Sequence, residues 1–181
     1  LLGRILATCG FCVLPFIAVY YSSAKGGGLG EGMIVSCGAG MTFSMAIGSM
    51  ILGRLGDAFG HRLGILIGAA MQVVCIVVLI LFPGILGCIV AYFAVGYCVS
   101  CVWVSHNNIF IETYPHDCRV AHISTGNLVV GVCAIIASIL AGIVAARWKI
   151  VTLFKISLAF SMAAFLWFLL RVREPRESRR S

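Results

Sequence analysis

The sequence predicts an all-α polytopic membrane protein with six transmembrane helices. Of its 181 residues, 61% are hydrophobic and 10% are charged, against roughly 45–50% and about 25% in soluble domains. The apolar residues also form uncharged runs long enough to cross a bilayer, for which about 20 residues are needed. The short alternating segments of membrane β-barrels are not seen in the sequence. The composition and the runs together exclude a water-soluble globule.

Six spans follow from these runs. The run over 63–111 is too long for one helix, and Pro83-Gly84 divides it, since this pair ends one helix and turns into the next. The spans are predicted at about 4–23, 31–53, 63–82, 85–108, 120–145 and 149–171. They form one bundle over 1–171, followed by a basic tail over 172–181. The chain has no initiator Met, so we expect it to be a piece of a longer protein.

The basic residues are divided unequally between the two sides of the predicted bundle. One side carries Arg4, Arg54, Arg62, Arg119 and the five arginines of the tail, and the other carries Lys25, Arg147, Lys149 and Lys155. By the positive-inside rule, we expect both termini and the 54–62 and 107–119 connections to be cytoplasmic. The membrane is then expected to be the plasma (inner) membrane.

Neither the net charge nor the cysteines indicate a soluble partner or a metal. The charge is +7, but five basic residues crowd behind the last apolar run, which is typical of a membrane flank rather than of a nucleic-acid surface. Eight of the nine cysteines lie inside apolar runs, where thiols act as small hydrophobic groups. The CxxC pairs, Cys9/Cys12 and Cys98/Cys101, have no His or carboxylate at the same depth and favour packing. We predict no nucleic acid, metal or cofactor.

The most informative segment joins the second and third spans. It reads Gly53-Arg-Leu-Gly-Asp57-Ala-Phe-Gly60-His61-Arg62, in which the glycines permit a sharp turn between helices. Asp57 can interact with a neighbouring helix N-terminus, which contributes about 0.3–1 kcal/mol, or up to about 2 when partly buried. A contact of this size can bias a conformational equilibrium without locking it.

Two motifs resemble those of the Major Facilitator Superfamily of transporters. Gly53, Asp57, Gly60 and Arg62 match the G-x-x-x-D-x-x-G-x-R/K turn that this family has between the second and third helices of each six-helix half. Ala58 replaces the basic residue usual after the aspartate, and His61 stands where Arg or Lys is common. The segment from Glu112 to Arg119, with Pro115 in it, is similar to the E-x-x-P-x-x-x-R near the fourth and fifth helices of a half.

The resemblance implies a gating network of ion pairs at the cytoplasmic end. Its predicted members are Gly53, Asp57, Gly60, Arg62, Glu112 and Arg119. The alternative is that the charged members only anchor helix ends at the membrane interface. His106 is interpreted as a half-solvated interfacial histidine, with a proton-relay role as the alternative.

The resemblance further implies one half of a secondary transporter that works by alternating access. The missing start and the weakened turn favour the C-terminal half, helices 7 to 12. The implied partners are a small-molecule substrate, the lipid bilayer and the other six-helix half. Cavity candidates, taken from the middle of the first, second, fourth and fifth spans, are Phe16, Tyr20, Thr42, Met45, Tyr97 and Asn127. None is charged, which disfavours a small strong ion as substrate.

Two other classes of membrane protein are alternatives to a transporter. An intramembrane serine protease needs a nucleophile in a G-x-S-G setting and a histidine at matching depth, and the sequence has neither; we expect no enzyme. A non-transporting membrane receptor or scaffold with the same fold shares every motif above and stays as the alternative.

Overall fold

The computed structural model describes residues 1–113 and 118–172, which form helices and turns and no strand. The helices are α1 (Leu2–Phe11), α2 (Leu14–Ser22), α3 (Glu31–Phe59), α4 (His61–Leu81), α5 (Ile85–Cys101), α6 (Asn107–Thr113), α7 (Arg119–Arg147) and α8 (Ile150–Arg171), with a π-turn over Val102–His106. The first span consists of α1 and α2, and the fourth consists of α5, the π-turn and α6. All six spans are long and apolar enough to cross a membrane. The predicted all-α, six-span membrane fold is confirmed.

Two predicted connections are largely helical in the structure. The second span runs to Phe59 rather than 53, and the fourth runs to Thr113 rather than 108. Charged residues such as Arg54 and Asp57 are compatible with a helix, so the change in composition does not end it. The break comes at Gly60, whose φ of 86° is the left-handed region that favours glycine. The other span ends lie within two residues of the predicted ones, and most of the tail lies outside the described residues.

The first span is kinked in its middle. α1 ends at Phe11 and α2 begins at Leu14 with Pro15 in its first turn. Proline has no N–H to donate, and its ring clashes with the carbonyl of the residue four positions earlier. That carbonyl belongs to Phe11, so the regular helix stops there and restarts beyond it.

The fourth span contains a second irregularity, the π-turn over Val102–His106. A π-turn widens the helix by one residue and rotates the side chains that follow it; such turns are frequent at functional sites. His106, its last residue, is buried.

Small residues bring the second, third and fourth spans close together. A Cβ at Gly96 would contact the carbonyl oxygen of Met41, and Ser44 Oγ donates to Phe93 O at 2.7 Å. A Cβ at Gly68 would contact Cys101. Ser44 of the second span and Gly68 of the third span therefore lie on packing surfaces, as close helix approach in lipid requires.

The fifth span is held more loosely. Among the described residues of α7, Ala137 and Ala141 are the buried ones. Two of its small residues have open surroundings: Ser138 is exposed, and Gly142 has no neighbouring heavy atom within 4 Å of a built Cβ. Most of this helix is a surface of the bundle.

The two ends of the bundle differ. At one end, here the Gly84 end, Gly84 N–H donates to Gly26 O at 2.8 Å, next to the larger apolar core around Tyr21 and Phe154. The opposite end, here the His61 end, carries Arg4, the Gly60 turn and a smaller apolar cluster that includes Phe168.

Candidate functional site

A cavity of about 380 Å³ lies between the first, third, fourth and fifth spans. Its polar lining comes from four of these helices: Arg4, Thr8, Gln72, His106 and Ser138. Phe11, Trp103 and Phe168 supply its aromatic walls. A mostly apolar cavity of this size with a few convergent polar groups is the usual form of a small-molecule site.

Both helix irregularities border this cavity. Phe11, Cys12 and Pro15 line it from the kink of the first span, and Val102, Trp103 and His106 line it from the π-turn of the fourth. Bending one helix and widening the other opens space that two straight, closely packed helices would fill. The position of the cavity thus coincides with these two helix irregularities.

Gln72, which lines the cavity, forms hydrogen bonds to two other helices. Its Nε2 donates to Ala7 O and to Ser161 Oγ, both at 2.9 Å, and Ser161 Oγ donates to Ser157 O at 2.8 Å. Gly10 leaves the room for this contact, because a Cβ there would contact both Gln72 and Ser161. Such hydrogen bonds between membrane helices contribute about 0.6 kcal/mol on average. The first, third and sixth spans are therefore joined by a buried polar network.

Arg4 gives the cavity a positive charge, and His106 adds a buried imidazole. The Arg4 guanidinium carbon lies 5.5 Å from the centre of the Phe110 ring, and Nη1 is buried without a hydrogen-bond partner among the described residues. His106 is 6% exposed and packs edge to face on Phe168, with ring centres 5.3 Å apart. The expectation of a half-solvated His106 is therefore wrong, whereas the absence of charge among the six predicted cavity residues stays a prediction, because those residues do not line this cavity. Sequence depth alone does not reveal into which side of the bundle a long or rotated side chain extends.

The six predicted cavity residues lie elsewhere in this structure. Phe16 packs on the larger core, and Tyr20 is buried edge to face with Phe154 at 5.1 Å between ring centres. Thr42 and Asn127 are exposed on the second and fifth spans, and Met45 is half-buried. Tyr97 borders a separate groove of about 460 Å³ between the second, third and fourth spans. The structure does not bring these six together; as substrate contacts they stay a prediction.

Sequence reasoning missed Gln72, Arg4 and Thr8 as cavity residues. Gln72 carried a signal, since it is an amide inside an otherwise apolar run. The position of Arg4 near a span end predicts a membrane-flanking residue rather than a cavity residue. Thr8 carried no signal, because a lone threonine in a membrane helix usually bonds its own backbone, as Thr8 Oγ1 does to Arg4 O at 2.8 Å.

At the His61 end, His61 of the Gly53–Arg62 segment contacts Glu112 of the fourth span. His61 is 5% exposed, its ring occupies the space beside Gly56, and its Nε2 lies 4.0 Å from Glu112 Oε1. Arg62 Nη2 donates to Leu169 O of the sixth span at 3.2 Å. Two predicted gating residues, Glu112 and Arg62, thus reach neighbouring helices.

The other predicted gating residues surround this contact. Gly60 forms the turn, Asp57 is exposed on the last turns of α3, and Arg119 begins α7. Gly53 has open space around it, whereas a Cβ at Gly56 would contact the His61 ring. Pro115 lies outside the described residues. Within the described ranges, no group of three or more His, Cys, Asp or Glu is arranged to hold a metal ion.

The fold and the cavity define an integral membrane protein of the α-helical bundle class. The family model of the Major Facilitator Superfamily matches residues 1–181. The chain therefore belongs to this superfamily, whose members are membrane transporters of small molecules. No curated protein and no solved structure matches the chain.

Proposed function

We propose that the chain is one half, the C-terminal one, of a secondary active transporter that moves a small solute by alternating access. The observation that carries this proposal is the exposure of polar side chains on the second and fifth spans. Thr42 and Asn127 both face outward there. Polar groups inside the membrane normally face a helical partner or a water-filled path rather than lipid.

Glycines with open space beside them on the same two spans support the proposal. Gly38 on α3, and Gly131 and Gly142 on α7, have no heavy atom within 4 Å of a built Cβ. Glycine in a membrane helix normally permits close approach of another backbone. The second and fifth spans are therefore suited to pack against the other six-helix half of the same polypeptide.

In this proposal, the two halves rock about a central solute site so that it opens to one side at a time. The His61 end is the cytoplasmic one, on the strength of the basic asymmetry, and the membrane is the plasma (inner) membrane. The contact of His61 with Glu112, together with Asp57, Arg62 and Arg119, forms the gate. Opening of that end separates the third span from the fourth and breaks the contact.

Accessibility of positions 42 and 127 tests the two-half arrangement without knowledge of the solute. Single cysteines Thr42→Cys, Asn127→Cys and Leu166→Cys are placed in a cysteine-free version of the full-length transporter. Leu166 is an apolar, half-exposed position of the sixth span and serves as the lipid-facing control. A charged, water-soluble maleimide is expected to label positions 42 and 127 and to leave 166 unlabelled. Equal protection of all three positions would contradict a solute path along these spans.

Flux separates the transporter from the alternative, a non-transporting receptor or scaffold. The full-length protein in proteoliposomes is expected to show counterflow of at least one solute from a panel of sugars, amino acids, organic anions and organic cations. Labelling at 42 and 127 without counterflow of any of them would favour the receptor.

A further inference from the structure

We propose that the cavity of the first, third, fourth and fifth spans binds an organic anion with an apolar, ring-containing body. Arg4 binds the anionic group, and the aromatic walls enclose the body. This inference rests on the proposed function and gives its solute a chemical class.

The charge of the lining supports an anion. Among the described residues that line the cavity, Arg4 is permanently positive and no carboxylate occurs. A cation in the interior of a membrane protein is costly unless a counter-charge and hydrogen bonds compensate it. Arg4 Nη1 is buried and has no hydrogen-bond partner in the described part of the chain. A carboxylate or sulfonate of the ligand would supply the counter-charge that the lining lacks, and the planar guanidinium is suited to bind such groups through two parallel bonds.

The shape and walls of the cavity support a ligand with an apolar body. Its volume of about 380 Å³ lies in the range of small-molecule sites, far more than an inorganic anion requires. Phe11, Phe168 and Trp103 belong to the cavity lining, and Trp103 is 69% exposed. An inorganic anion would leave these walls without contacts, whereas an aromatic acid would cover them while its charge reaches Arg4.

His106 is a further polar residue of the cavity lining. It is buried and belongs to the cavity lining, and a neutral imidazole can donate one hydrogen bond and accept another. Gln72 is less available, because both of its amide hydrogens are used by Ala7 O and Ser161 Oγ. We therefore assign the anionic group to Arg4, with His106 as a neutral donor beside it.

A pair of matched probes tests the proposal. Binding of 1-naphthoate and of its neutral counterpart 1-naphthamide to the purified full-length protein in detergent is measured by calorimetry. Hydrogen bonds to a charged group contribute about 1.5–3 kcal/mol, so we expect naphthoate to bind about ten- to a hundredfold more tightly than naphthamide. Arg4→Gln should abolish this preference and Arg4→Lys should retain most of it.

Arg171→Gln is the matched control. Arg171 also lies at the His61 end and also stacks on an aromatic ring, 5.7 Å from the centre of Trp167, but it does not line the cavity. The preference for naphthoate should be unchanged in this variant. Equal binding of the two probes by the unmodified protein would overturn the proposal, and so would an unchanged preference in a folded Arg4→Gln variant.

The phosphate of a lipid headgroup is also an anion that Arg4 could bind. A binding experiment in lipid nanodiscs distinguishes a lipid site from a solute site. Naphthoate binding is repeated in nanodiscs of phosphatidylcholine alone and of phosphatidylcholine with phosphatidylglycerol. Equal affinity in both supports a solute site; loss of binding with the anionic lipid would make Arg4 a lipid site and overturn the proposal.

The failure of this inference differs from the failure of the proposed function. Counterflow of a neutral or cationic solute without a preference for naphthoate would overturn the inference but would still support the proposed transport function. Tight naphthoate binding without counterflow of any solute would support the anion site and contradict the transporter.

Discussion

Substitution of Gly96 by alanine tests how tightly the second and fourth spans are packed. A Cβ at Gly96 would contact the backbone oxygen of Met41 and lie 3.0 Å from Ser44 Cβ. Backbone cannot move aside as a flexible side chain can, so the two helices must separate. The hydrogen bond from Ser44 Oγ to Phe93 O, 2.7 Å long, lies at the same contact and would lengthen.

The expected loss of stability follows from three effects. Overpacking a close-packed interior costs about 1–3 kcal/mol, and loss of the Ser44 hydrogen bond adds about 0.6 kcal/mol. Alanine recovers about 1 kcal/mol, because glycine is the poorer helix former. The net decrease in the free energy of unfolding is therefore about 0.6–2.6 kcal/mol.

Gly32→Ala is the matched control, because Gly32 lies at the start of the second span, outside the proposed contact with the other half, with no heavy atom within 4 Å of a built Cβ. Only the helix-propensity effect remains there, so this variant should gain up to about 1 kcal/mol. The free energies are measured by SDS titration of the purified full-length protein in mixed micelles, followed by far-UV circular dichroism. If Gly96→Ala fails to fold, Ser44→Ala should still show the smaller loss of about 0.6 kcal/mol. A Gly96→Ala protein as stable as Gly32→Ala would refute the packing argument.

Three further predictions concern orientation, gating and energy coupling. With Ala58→Cys in a cysteine-free background, an impermeant maleimide added outside intact cells should leave position 58 unlabelled; labelling there would reverse the proposed topology. Asp57→Asn should impair counterflow far more than folding, since loss of about 1–2 kcal/mol changes the ratio of the two open states about five- to thirtyfold; a normal rate in the purified variant would make Asp57 only an anchor. If transport is proton-coupled, neutralising Glu31, Glu112 or Asp117 singly should leave proton movement in vesicles coupled to the solute, because the sequence places none of these carboxylates near the midplane; uncoupling by one substitution would place that carboxylate in the pathway.

The six spans could be predicted from the sequence because the bilayer imposes a minimum length on each apolar run. The helix ends at Phe59 and Thr113 could not, since polar and charged residues continue a helix as readily as they end it. The second span ends at Gly60 because that residue has a left-handed backbone conformation. The sequence shows a glycine there but does not show its backbone angles. The kink at Pro15 follows from the chemistry of proline. The π-turn has no comparable sequence signal.

The candidate site was less predictable than the fold, because depth in the membrane does not fix the direction of a side chain. Tyr20 lies at a suitable depth and faces the core against Phe154. Arg4 lies near a span end, yet it belongs to the cavity lining. Which residues share a cavity depends on how neighbouring helices rotate about their axes, and that rotation is set by contacts such as Gly68 with Cys101. A single sequence carries no record of those contacts.

The packing of the two ends suggests which part of the bundle rearranges. At the Gly84 end, Ile17, Tyr21 and Phe154 are fully buried in the larger apolar core. The His61 end buries His61 and His106 instead, next to the smaller cluster around Phe168. Polar contacts can be exchanged for contacts with water or a ligand when helices separate, whereas a close-packed apolar interior loses its dispersion contacts without replacement. We therefore expect movement within the half to occur at the His61 end, where both the cavity and the charged motif lie, with the Gly84 end as the rigid base.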